Sequence, residues 1–312
     1  MTDTVGGVAL DAPVLLASGI LGSTGASLDR ALRAGAGGVV TKSVGPTPRE
    51  GHPGPNVFAE DGYALNAVGL SNPSYGFADE LEGAGPRAGT DGPDGPVIVS
   101  IYGGTAEEFA DLAEHFSPLA DALELNVSCP HAEGYGTDIG ADPELTRAVT
   151  RAAVDAADVP VWVKLTPNVA DVAAIGRAAE DAGADAVTAV NTLDAMAVDV
   201  ETGRPILGNV HGGLSGSALK PVAVRAVYEL YEALDVDVIG VGGVGSAADA
   251  AEMVLAGASA VQVGTAVRDG VEVLGRIADG LGDHAERHGG MEAMIGLAHE
   301  RTPGEGETEA GR

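Results

Sequence analysis

"VDVIGVGGVGSAADAAEMVLAGASAVQVGTA", residues 236–266, is the stretch whose reading decides the fold. Two apolar, β-branched runs, 236–241 and 259–264, flank a segment with apolar residues at three-to-four spacing. Runs without polar alternation suit strands buried on both faces, as in a parallel sheet. The segment between them, 246–257, opens on Ser246 with Asp249 three residues on, a helix-capping pattern. Glycines 242, 243 and 264 stand where the strands end. Strand, helix and strand in this order make a parallel pair joined by a right-handed crossover.

The unit recurs along the chain. Further candidate strands are 14–18, 37–43, 96–101, 122–127, 160–165 and 185–191, which brings the number to eight. Helical patterns cover 27–35, 105–116, 142–156, 169–183 and 218–234. Thr105 with Glu108, and Asn168 with Asp171, repeat the capping signal. Eight units in 312 residues fit an α/β fold of the (β/α)8 TIM-barrel type. A doubly wound open sheet is the alternative, weakened by the missing glycine fingerprint after the first strand. One domain over 1–301 is expected, followed by a disordered acidic tail at 302–312. Residues 44–80 and 192–217 keep large apolar side chains and read as ordered insertions over the C-terminal rim. Residues 81–95 are rich in Gly and Pro and read as a surface loop.

Composition narrows the function. The net charge of −29, from 46 acids against 17 bases, opposes binding to a phosphate backbone. The acids are scattered, as on a solvated folded surface, and their excess points to a high-salt cytoplasm, a halophilic protein. No apolar run approaches a membrane span, and residues 1–13 lack the features of a signal peptide. A single cysteine, Cys129, rules out a disulfide within the chain, a Cys-rich metal site and a cluster held by this chain alone. A cytoplasmic enzyme without a metal site of its own is the expectation.

Active sites of TIM barrels lie at the C-terminal strand ends. Reading those ends collects Ser18, Lys42, Ser43, Ser100, Asn126, Lys164, Asn191 and Thr192, with Cys129 just beyond strand four. Lysine occurs only three times, as Lys42, Lys164 and Lys220, and two of these fall on the rim. Buried Lys and Asn need partners, and a polar ligand in the barrel mouth supplies them. Gly242, Gly243, Gly264 and Thr265 follow strands seven and eight, the usual phosphate position. FMN, with one phosphate and one electron-accepting ring, suits this set, with Lys164 stabilising negative charge on the ring. Cys129 reads as a general base or acid, or as a small buried hydrophobe. In the second case the chain is a barrel that binds a phosphorylated metabolite.

The motifs "TKSV" (41–44), "LNAVGLSNP" (65–73), "LNVSCP" (125–130), "VKLTPN" (163–168), "VNTLDAMAVD" (190–199), "GGLSGSALKPVAVRAVY" (212–228), "IGVGGV" (239–244) and "VQVGTA" (261–266) resemble class 1 dihydroorotate dehydrogenases in order and spacing. The similarity is greatest to the class 1B catalytic subunit and spans about residues 5–280. It implies an FMN-dependent oxidation of (S)-dihydroorotate to orotate in pyrimidine synthesis. Cys129 would remove the C5 proton while hydride leaves C6 for the flavin. Lys42, Asn66, Val68, Gly69, Leu70, Asn126, Asn191 and Thr192 would hold the substrate. Ser18, Lys42, Ser43, Ser100, Asn126, Lys164, Val190, Gly216, Gly242, Gly243, Gly264 and Thr265 would hold FMN. The resemblance also implies a homo-oligomer, a dimer, and a second subunit with FAD and a [2Fe–2S] cluster. Two positions depart from the pattern: Ser100 and His131 stand where asparagine is familiar. Cys-Pro-His is also similar to the flavin domain of dihydropyrimidine dehydrogenases, a related activity on a different ring.

Overall fold

A computed structural model of the protein describes residues 4–82, 95–128 and 139–300. Eight parallel strands close into a barrel: β1 (Val14–Leu16), β2 (Gly38–Val40), β3 (Val97–Ile101), β4 (Ala122–Asn126), β5 (Val161–Leu165), β6 (Ala186–Ala189), β7 (Asp237–Val241) and β8 (Ala260–Val263). Each pairs with its neighbour in sequence, and β8 returns to β1. The helices that follow them are α1 (Gly25–Arg33), α2 (Ala78–Glu82), α3 (Ala106–Phe116), α4 (Pro143–Ala156), α5 (Val172–Asp181), α6 (Lys220–Ala233), α7 (Ala247–Leu255) and α8 (Val273–His288). This is the expected (β/α)8 barrel, not an open sheet.

Alternation along the strands separates two cores. Leu123, Leu125, Val161, Val163, Leu165, Val187 and Ala189 point outward and pack under the helices. Leu15, Val40, Ile98, Ala122, Trp162, Ala186, Ile239 and Ala260 point inward and fill the bottom of the barrel. A hairpin of Thr4–Val5 and Val8–Ala9 closes that end with Val5, Val8 and Leu10. Gly6 fastens it: its N–H donates to Asp237 Oδ2 at 2.7 Å, and its carbonyl accepts from Trp162 Nε1 at 2.9 Å. Its φ of 51° and the 2.4 Å between a built Cβ and that indole nitrogen leave room only for glycine.

Helix starts follow the sequence with one exception. Thr105 caps α3 and Ser246 caps α7, each accepting from a backbone N–H three residues on. Asp171, not Asn168, caps α5 by accepting from Ala174 N. The Asn168 amide is engaged at the rim instead, donating to Thr192 O at 3.1 Å and accepting from Asp194 N at 2.9 Å. A carboxylate, which only accepts, is the better cap, whereas the amide uses both of its ends at the rim.

The insertions combine into one lid. Leu193–Ala195, Gly212–Ser215, Tyr63–Asn66 and Val57–Glu60 form an antiparallel sheet in that order. Leu65, Ala67 and Leu207 make its small core. The segments 44–80 and 192–217 therefore order one another. The described residues contain no helix long and apolar enough to cross a membrane. Cys129 and His131, most of the 81–95 loop and the 302–312 tail lie outside the described residues.

Candidate active site

The bottom of the barrel is sealed, so its open space lies at the C-terminal end beneath the lid. A cavity of about 1130 Å³, counting its open side, is lined by Ser18, Lys42, Ser43, Asn66, Val68, Gly69, Leu70, Asn126, Lys164, Asn191 and Thr192. Asn66, Val68, Gly69 and Leu70 come from the lid and the others from positions at or near the ends of barrel strands far apart in sequence, and all were expected as ligand-binding residues.

Asn126, the last residue of β4, organises one wall. Its Nδ2 donates to Ser43 Oγ at 3.2 Å, and its Oδ1 accepts from Ser128 Oγ at 3.0 Å and Asn191 Nδ2 at 3.3 Å. Asn191 Nδ2 also donates to Ser128 Oγ at 2.7 Å. The amides are thereby turned one way, which fixes where donors and acceptors face a ligand. Ser43 shares a 2.8 Å hydrogen bond with Ser100 and lies 3.4 Å from the Ser18 hydroxyl. Ser100 is fully buried and does not line the cavity; it braces Ser43 from below.

The floor is ionic. Lys164 is 5% exposed and Glu124 is 0% exposed. The ammonium donates to Glu124 Oε1 at 3.4 Å and to Gln262 Oε1 at 3.2 Å. Glu124 Oε2 accepts from Gln262 Nε2 at 2.6 Å and from Thr188 Oγ1 at 3.1 Å. Four strands thus supply one closed polar layer under the cavity, and Lys164 is its member on the cavity wall.

Val190, Gly216, Gly242, Gly243, Gly264 and Thr265 are not on the cavity wall but stand at the same end of the barrel. Thr265 Oγ1 donates to Ser215 Oγ at 2.8 Å, joining the β8 turn to the lid. Gly264 has a φ of −108° and a ψ of −88°, outside the regions that residues with a side chain ordinarily occupy. A Cβ built there would meet Ala17 Cβ at an ordinary 3.5 Å. Packing leaves the turn bare, which gives a phosphate room to approach its backbone. With an ammonium floor, an amide-lined wall and this bare turn, the residues fit FMN.

Lys220 also has a task. It bridges Asp249 at 2.7 Å and Glu252 at 2.8 Å, tying the start of α6 to α7. Asp249 in turn accepts from Gly245 N at 3.2 Å and Ser246 Oγ at 2.7 Å, beside the glycine turn. The carboxylates of Asp249 and then Glu252 raise the Lys220 pKa. Burial pushes Asp249 upward, but Lys220, the Ser246 hydroxyl and the Gly245 N–H outweigh it, and its pKa is lowered. The Asp249 contribution to stability is complete above the ordinary carboxylate range and is lost as pH falls through the lowered value. The Lys220 contribution is complete below the ordinary lysine range and is lost as pH rises through the raised value. In Asp249→Asn the acid limb of a melting-temperature profile, below about pH 4, becomes shallower than in the parent. Superimposable profiles would remove this role.

Wall residues not anticipated as site residues include His52, Ser128, Asn168, Asp194 and Asn209, with Gly19, Gly212 and Gly213. Asn168 and Ser128 lay inside or beside quoted motifs and at strand ends, so position alone could have found them. His52 had no such signal. Its N–H donates to Val68 O at 3.0 Å, and its Nδ1 lies 3.2 Å from Ala67 O, so it braces the 66–70 segment through the fold of the insertion. The described residues hold no cluster of three or more His, Cys, Asp or Glu that could bind a metal.

The sequence model of the dihydroorotate dehydrogenase family matches residues 1–284. A Methanosarcina mazei protein named dihydroorotate dehydrogenase B (NAD(+)), catalytic subunit, is 56% identical over 95% of this chain and 95% of its own. Proteins of the same name from Methanocella arvoryzae and Pyrococcus furiosus are 53% and 48% identical, covering 96% and 94% of this chain and 98% and 96% of theirs. With the barrel, the rim residues and this similarity along nearly its whole length, the chain belongs to the dihydroorotate dehydrogenase family.

Proposed function

We propose that this chain oxidises (S)-dihydroorotate to orotate in pyrimidine biosynthesis, as the FMN-bearing catalytic subunit of a class 1B enzyme in the cytoplasm. The observation that carries the reading is the wall of Asn66, Asn126 and Asn191 with Lys42, set directly above the Lys164 floor. Asparagine amides offer the paired donors and acceptors that a dihydropyrimidine ring requires, and Lys42 suits its carboxylate. Val68, Gly69, Leu70 and Thr192 complete the enclosure from the lid side.

Bound FMN supplies the two-electron acceptor for hydride from C6. The residues do the rest. Lys164 places positive charge beneath the cavity, and Ser18, Ser43 and Asn126 would hold the ring's edge. Backbone N–H groups at Gly216, Gly242, Gly243, Gly264 and Thr265 would hold its phosphate, with Val190 beside them. Cys129 follows Ser128, which is anchored to Asn126 and Asn191, and acts as the base that takes the C5 proton.

The named relatives use NAD(+), and one cysteine cannot ligate a [2Fe–2S] cluster, so electrons leave through a partner that carries FAD and the cluster. One cysteine also suits a reducing cytoplasm, and the acid excess suits one rich in salt. The test is dye reduction by the purified yellow protein with dihydroorotate and with dihydrouracil. Turnover with dihydroorotate alone is expected. Preference for dihydrouracil, or a colourless protein that cannot take up FMN, would overturn the reading. Full activity without molar salt would remove the halophilic part.

A further inference from the structure

We infer that Glu124 is the positioning residue for the cofactor floor: it holds the Lys164 ammonium at one height, with one N–H left for the ligand. The inference rests on the FMN reading of the cavity. An ammonium has three N–H groups, and Glu124 Oε1 and Gln262 Oε1 take two of those of Lys164. Lys164 lines the cavity, so the third is available there.

Glu124 itself touches nothing in the cavity. It is fully buried, and its second oxygen is held by Gln262 and Thr188. Those two bonds stop the carboxylate from rotating or following the lysine. In register Lys164 pairs with Thr188 and with Asn126, while Glu124 stands two residues before Asn126, so the tilt of the strands brings its carboxylate level with the ammonium. A buried ion pair is a poor device for stability, because apolar residues of equal volume do as well or better. Lysine has four flexible side-chain bonds, and without a fixed acceptor its ammonium moves toward water. The pair is therefore explained by what Lys164 presents upward, not by what the two residues add to folding.

The experiment is a double-mutant cycle on the full chain, read by FMN dissociation constant and by the midpoint potential of bound FMN. Glu124→Asp keeps the charge but draws the carboxylate back by one methylene. It is expected to weaken FMN binding about tenfold, the worth of one charge-assisted hydrogen bond, and to make the potential more negative. In a Lys164→Met background the same change is expected to move neither quantity. Glu124→Gln gives a second route should the aspartate variant misfold, with FMN affinity as its readout, lost in the parent and unaffected in Lys164→Met. Additive losses in the two backgrounds, or no loss in the parent, would overturn the positioning role while leaving FMN binding intact. Absence of FMN binding in the parent would instead strike the function proposed above.

Discussion

In Cys129→Ser, dihydroorotate turnover falls by about two to four orders of magnitude at neutral pH, the span of a lost general base. The loss narrows as pH rises. A thiol ordinarily titrates near 8.5, so a modest local push gives a working thiolate at neutral pH. A serine hydroxyl stays protonated far above that range and needs hydroxide, or a rarer deprotonated fraction, to do the same work. Flavin content and melting temperature stay at parent values, because the substitution exchanges sulfur for oxygen and removes no carbon. The measurement is kcat from about pH 6 to pH 10 with dihydroorotate and an artificial acceptor, alongside the flavin spectrum. Parallel pH profiles for variant and parent would show that Cys129 takes no proton.

Lys164→Ala has the second large effect, and it strikes stability and cofactor together. The substitution leaves the Glu124 carboxylate fully buried with only neutral donors, from Gln262 and Thr188. Breaking a buried pair from one side costs about 3–5 kcal/mol. For a chain of this size that lowers the melting temperature by about 5–8 °C. The same variant loses the ammonium from the cavity floor and retains FMN poorly. Adding Glu124→Gln to Lys164→Ala removes the orphan charge. The double variant regains most of the melting temperature but none of the FMN affinity. Thermal melts and flavin titrations of the single and double variants separate the two effects. A single variant that melts with the parent and purifies with full flavin would contradict both.

The barrel was legible because strand burial is a short-range pattern. Each of β3, β4 and β5 is buried at nearly every position, so the runs 96–101, 122–127 and 160–165 stand out as continuous apolar stretches. Rim residues followed from the same fact, since a strand's last residue is a local property. Asn126, Asn191 and Lys42 were found that way and do line the cavity.

What lay beyond the sequence was set by pairings over long separations. Glu124 reads as a stray acid in "ALELN", yet it meets Gln262 across 138 positions and Lys164 across 40. Asn66 donates to Gly213 O across 147 positions, within the strand pairing that makes one lid of two insertions. Asn168 carried a capping signal but turned to the rim, where tertiary partners satisfied both ends of its amide. Local hydrophobic pattern therefore determined that eight strands form and where they end. Barrel closure and strand register decided which polar side chains face inward at the same height, because that depends on the positions of neighbouring strands rather than on adjacent residues.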